Sequence, residues 1–195
     1  MFALVSLEPT PLATAALARN ERYLREFIEA LNICPYARTC RETGRLHREV
    51  LDQASPDAQA VVERIHAIEA GPADSVDVGL LLFPALRIES RPFEHFVRAV
   101  RQAYEKDRLK AVTFFMVGFH PEMAMDLANA DRAVAFMRRS PDPTLQLVSV
   151  RALDRAKEGA GDRRHLSEVI AEAGLAAIQA AGPEKLAAAL AALRV

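Results

Sequence analysis

The stretch Ala111-Val-Thr-Phe-Phe-Met-Val-Gly-Phe-His-Pro121 reads as a buried strand that ends, without a spacer, in a histidine. Upstream of it, Val76 to Phe83 is a second short apolar run with few polar interruptions, the pattern of a strand covered on both faces. Between the two, Ser90 and Pro92 open a helix whose stripe is Phe93, Phe96, Val97, Val100, Ala103 and Tyr104. Strand, helix and strand predict a right-handed βαβ unit with parallel, adjacent strands. Earlier still, Gly44 to Leu51 is a weaker, charge-rich strand suited to an edge. A helix starting at Ser55-Pro56-Asp57 follows it, turns Val61, Val62, Ile65 and Ile68 inward and stops at Gly71-Pro72. Thr144 to Val150 is a further strand, and Pro141 and Pro143 before it mark a strand start or an edge. The expected fold is α/β: a small, mostly parallel four-stranded sheet, made of a βαβαβ core plus one further strand, with helices packed on it and a helical C-terminus.

Residues 1–19, with Pro9 and Pro11, read as an N-terminal arm or a short, loosely formed helix. The first firm helix runs from about Asn20 to Ile33, with Leu24, Phe27, Ile28 and Leu31 on one stripe, and Pro35 ends it. Glu122 to Met137 suggests one or two short helices and a loop. The core domain is placed at 20–158. From 159 to 195 the chain is a helical extension, broken by Gly159-Ala-Gly161 and made of helices over Arg164–Ala181 and Pro183–Arg194. Apolar positions nearly encircle the last helix, so it packs on the core or on a second copy as a homodimer.

The 195 residues carry a formal net charge of −1, which leaves no basic field for nucleic acid. Local gatherings of arginine, from Arg19 to Arg48 and from Arg138 to Arg164, suit a small anionic ligand or a solvated helix face. Two cysteines, Cys34 and Cys40, are too few for a disulfide framework and wrongly spaced for a Cys-x-x-Cys pair. The N-terminus lacks a basic start, and no apolar run is long enough to span a bilayer. A reduced cytoplasmic protein without membrane contact is expected.

Ligands of parallel sheets collect beyond the carboxyl ends of the strands, where His120 is placed. An imidazole there serves as general acid or base, or caps the sheet and bonds the loop. Cys34 is a nucleophile candidate, although a helix C-terminus disfavours a thiolate, and a buried core residue is the commoner reading of such a cysteine. A Cys34–His120 pair would be a nucleophile and its base. Arg138, Arg139 and Ser140 offer donors for a carboxylate or phosphate, and Arg38 is a cation close to Cys34 in the chain. His47 is a reserve ligand only. Phosphate-loop, His-Glu-x-x-His, Gly-x-Ser-x-Gly and dinucleotide motifs are absent.

Three segments, Asn32-Ile-Cys-Pro-Tyr-Ala37, Phe119-His-Pro121 and Arg139-Ser-Pro-Asp-Pro-Thr-Leu145, resemble in order and spacing an uncharacterised bacterial family, domain of unknown function 1415. The resemblance spans roughly residues 20 to 157. It implies a shared pocket around Cys34, His120 and Arg139 and no known reaction. Three positions depart from the family pattern: Gly118 for serine, Arg138 for asparagine, and Gln146 for histidine. Glutamine hydrogen-bonds but neither shuttles protons nor ligates metal strongly.

These residues lead to an expectation of an enzyme or enzyme-like protein acting on a small anionic metabolite, with His120 and Cys34 catalytic. Arg38, Arg139, Ser140 and Gln146 would bind substrate. No cofactor or metal is expected, a site of Cys34, His120 and His47 or Glu122 being the weaker rival. The alternative class is a non-catalytic ligand-binding or interaction module that uses the C-terminal helices.

Overall fold

The computed structural model describes residues 9–34, 36–72, 75–106, 112–159 and 166–194. Thr10 caps the first helix by accepting from the Ala13 amide, and Pro11 takes its first position, so α1 spans Pro11–Tyr23. Of the two N-terminal readings, arm or short helix, the helix is the one found from Pro11, and it runs on into the helix expected from Asn20. The helix continues as a π-helical segment, Leu24–Glu29, which Asn32 ends in the left-handed region at φ 49°. A short helix, α2, follows over Ala37–Glu42.

Strand β1 (Leu46–Val50), helix α3 (Ala58–Glu69), strand β2 (Val78–Leu82), helix α4 (Ser90–Lys106) and strand β3 (Phe114–Phe119) alternate as their periodicities require. Asp57, rather than Ser55, caps α3. Next come α5 (Ala130–Met137), β4 (Thr144–Ser149), α6 (Val150–Gly159), α7 (Leu166–Ala181) and α8 (Pro183–Ala192). Helix α6 follows β4 without a loop. Residues 160 and 161 of the Gly159–Gly161 break lie outside the described residues.

The sheet order is β1-β2-β4-β3, with β1 and β2 parallel and β4 antiparallel to both of its neighbours. The sheet is thus mixed, and the expected mostly parallel sheet is corrected. Strands β1, β2 and β3 do run the same way, but β4 enters from the opposite end and fills the gap between β2 and β3. Leu80 pairs with Gln146, and Gln146 with Val117. The physical reason is burial. β4 buries Leu145 and Leu147 completely, as a central strand does, whereas β3 leaves Phe115 53% exposed, as an edge strand does. On β3, the Arg101 guanidinium donates to the Met116 carbonyl at 2.6 Å.

Two helical layers cover the sheet. On one face, Val61, Val62 and Ile65 of α3 and Phe93, Val97 and Val100 of α4 bury Leu81, Phe114, Met116, Leu145 and Leu147. On the other, Tyr23, Leu24, Phe27 and Ile28 join Leu80, Phe136, Ile178, Leu190 and Leu193. The C-terminal helices therefore bury apolar residues in this second core. Gly174 allows α7 to approach α5: a Cβ there would lie 2.6 Å from Met137 Cε.

One bidentate ion pair ties α1 to the loop before β4. Arg19 Nε and Nη2 donate to Asp142 Oδ2 and Oδ1 at 3.1 and 2.9 Å, and the side chains are 19% and 8% exposed. Asp142→Ala is expected to cost about 1–3 kcal/mol because a part-buried guanidinium loses its partner. A double-mutant cycle in urea with Arg19→Ala should return a coupling of about 1 kcal/mol, and additive losses would show the pair to be inert.

Candidate functional site

Alternation along β3 decides where its histidine goes. Phe114 and Met116 face the α3–α4 layer, and Gly118 lies beneath Val97 and Phe93 of that layer. His120 continues this set, packing its ring 5.6 Å from Phe93. Val117 and Phe119 face the opposite side. His120 is 2% exposed and both of its ring nitrogens are engaged. The Glu122 amide donates to Nδ1 at 3.1 Å, so Nδ1 carries no proton, and Nε2–H donates to the Ile88 carbonyl at 3.0 Å. Burial holds its pKa below the ordinary histidine value, against the raising influence of Ile88 and Glu122. The ring thus pins the 88 and 120–122 segments together. It also borders a cleft of about 420 Å³ with Arg87, Glu89, Glu122, Asp142 and Arg194.

Cys34 lies across the sheet. It lines a larger cavity of about 630 Å³, none of whose lining residues border the His120 cleft. The cavity floor is the second sheet face, from Leu46 on β1 through Val78 and Leu80, then Gln146 and Val148, to Val117 and Phe119 on β3. Its walls are α1 with the π-helical segment and α2 on one side, and α5, α6 and α7 on the other. The size falls within the range of small-molecule sites, and the surface is mostly hydrocarbon.

Burial pushes the Cys34 thiol pKa up, while the backbone amides of Tyr36 and Ala37, which hydrogen-bond its sulfur, pull it down; the net shift is upward. The expectation of a thiol at a helix C-terminus is therefore incomplete, since α2 begins just beyond and directs amides at the sulfur. Cys40, also in the lining, is raised to about 11, first by burial and then by Asp77.

Of the remaining candidates, Ser140 and Gln146 border the same cavity as Cys34. The Ser140 hydroxyl donates to the Asp142 carbonyl at 2.6 Å, and the Thr144 hydroxyl donates to that carbonyl at 2.8 Å, which shapes the Ser-Pro-Asp-Pro-Thr loop. The Gln146 amide has no hydrogen-bond partner among the described residues. Arg139 borders neither cavity; its Nε donates to the Met123 carbonyl at 2.6 Å and its guanidinium lies 5.2 Å from the Phe136 ring centroid. Arg38 is an exposed ion-pair partner of Glu29 at 3.5 Å and also borders neither. The structure brings Cys34, Ser140 and Gln146 together, and places His120, Arg139 and Arg38 elsewhere. Among the described residues no three His, Cys, Asp or Glu side chains are grouped as a metal ion requires.

Sequence reasoning missed two residues of the cavity. Asn20 Oδ1 and the Tyr23 hydroxyl are buried without a hydrogen-bond partner, at 2% and 4% residue exposure. Burial, and then the neighbouring Cys34, raise the Tyr23 pKa, so its hydroxyl stays neutral. A signal was available, because Asn20, Tyr23 and Phe27 fall at i, i+3 and i+7 and put an amide and a phenol on the apolar stripe. Arg138, grouped with Arg139 and Ser140 as an anion donor in the sequence, borders the cavity as well. Its guanidinium has no hydrogen-bond acceptor among the described residues.

A three-layer α/β protein with a ligand-sized cavity between its mixed sheet and one helical layer is the class these features define. A sequence model of the family described as protein of unknown function (DUF1415) matches residues 15–188, and the chain belongs to that family. The match extends beyond the resemblance, taking in α7 and part of α8. No curated protein and no solved structure matches the chain. Among the described residues no helix is long and apolar enough to cross a membrane.

Proposed function

We propose that this protein binds a small organic molecule in the sheet-face cavity, with Tyr23, Cys34 and Gln146 against the polar parts of that molecule. The observation that carries the reading is the pair of orphaned atoms, Asn20 Oδ1 and the Tyr23 hydroxyl. Each unpaired buried polar group costs about 1–3 kcal/mol, so native folds rarely keep one without a use. Two of them on one helix, bordering the same cavity, are what a preorganised ligand site requires. Binding draws more support than thiol–histidine catalysis, since His120 packs on the other sheet face with both nitrogens engaged. The interaction-module alternative draws less, because Ile178, Leu190 and Leu193 are already buried.

The test is a ligand-observed fragment screen of the whole protein, coupled to peptide-resolved alkylation of Cys34 by iodoacetamide. Fragments that bind are expected to slow alkylation at Cys34 at least about 5-fold, because only the thiolate reacts and Cys34 lines the cavity they fill. A screen in which no bound fragment changes Cys34 alkylation would reject the reading.

A further inference from the structure

Resting on that reading of the cavity, we infer that its ligand is an elongated apolar molecule ending in one carboxylate, which Arg138 receives. Shape comes first. The floor crosses all four strands, from Leu46 on β1 to Val117 on β3, and three inter-strand spacings make that roughly 14 Å. Most of this length is faced with hydrocarbon from Leu24, Ile28, Val78, Leu80 and Val117.

Charge sets the orientation. Among the charged side chains of the lining, Asp77 pairs with Arg155 at 2.5 Å and also with Arg45, outside the lining, at 3.3 Å. Asp131 and Glu168 are exposed at the rim. Arg138 is half-buried and lacks a hydrogen-bond acceptor among the described residues, while Glu94 and Arg101 of α4 act on its charge in opposite senses. A guanidinium fork matches a carboxylate through two parallel hydrogen bonds. Arg138 follows α5, and its own carbonyl accepts the His120 amide, so it lies over the end of β3. Gln146, beside Val117 on β4, offers a free amide on that side of the floor. The carboxylate therefore sits at the β3–β4 end and the apolar body runs toward β1. A single carboxylate is inferred because no second unpaired cation borders the cavity among the described residues.

Isothermal titration of the whole protein with decanoate, 1-decanol and decylamine tests this, alongside Arg138→Gln and Arg138→Lys. Decanoate is expected to bind at least about 10-fold more tightly than decanol, with decylamine weakest, and to slow Cys34 alkylation. Arg138→Gln should erase the preference while leaving the decanol affinity and the melting temperature unchanged, and Arg138→Lys should restore part of it. Decanol binding as tightly as decanoate, or a preference that survives Arg138→Gln, would overturn the carboxylate. If decanol still protected Cys34, the cavity reading would stand alone. Decanoate that binds without protecting Cys34 sits elsewhere and overturns the inference. So does the failure of all three probes, whereas fragments that protect Cys34 would still uphold the cavity.

Discussion

His120→Ala is expected to lower stability by about 2–4 kcal/mol, a fall of roughly 5–15 °C in melting temperature for a chain of this size. The loss has two parts. The Ile88 carbonyl and the Glu122 amide lose their imidazole partner, and the space beside Phe93 is left unfilled. A catalytic histidine on an otherwise indifferent scaffold would behave in the opposite way, with unchanged melting and lost function. The acid limb gives a second readout. The folded-state pKa of His120 lies below its unfolded value near 6.5, so the unfolded chain binds more protons in the interval between them. The stability His120 contributes is fully present above about pH 6.5 and declines as pH falls from there toward the folded pKa. Glu21, Glu29 and Glu49 have lowered pKa values, so their contributions fade only below about pH 4.5. Urea midpoints of wild type should therefore fall between about pH 6.5 and 5, and those of His120→Ala should be flatter there. Parallel acid limbs in the two proteins would mean that the ring is not held neutral.

This histidine also marks how far the sequence could be read. That a residue of consequence ends β3 is legible, because an apolar run closing on His-Pro is unusual local chemistry. Its partners are not legible, because Ile88 is 32 positions away and is brought near only by the β2–α4 loop. Strand adjacency failed for a related reason. Phe93, Val97 and Val100 announce α4 through spacing alone, yet nothing local says that β4 slides between β2 and β3. Leu145 and Leu147, on one face of β4, were the nearest hint, and the prolines before the strand read as a strand start or an edge. At the cavity, Cys34, Ser140 and Gln146 stood out by motif. Asn20 did not, because it stood at the expected start of the first firm helix rather than within it. Only the Thr10 cap, which begins α1 earlier, turns Asn20 into a mid-helix residue facing inward.

Tyr23→Phe is expected to separate stability from binding at that cavity. The phenol ring stacks on Phe27, with centroids 5.7 Å apart, and phenylalanine preserves that packing. Only the hydroxyl is removed, and it has no partner. The unliganded variant should therefore be more stable by about 1 kcal/mol, since a buried group without a hydrogen bond is no longer withheld from water. Asn20→Leu removes the second orphan and should add a similar gain, although the residues are close enough for the two effects not to sum. Affinity should move the other way. A molecule that protects Cys34 in the wild type and offers a polar group to the Tyr23 hydroxyl should bind Tyr23→Phe at least about 10-fold more weakly, a difference of about 1.4 kcal/mol. Opposite signs for the two quantities are the mark of a group kept for a ligand rather than for the fold. Urea denaturation and titration of the same two proteins decide the matter. A destabilised Tyr23→Phe would show that the hydroxyl already has a partner within the folded chain, and the ligand-site reading would lose its main support.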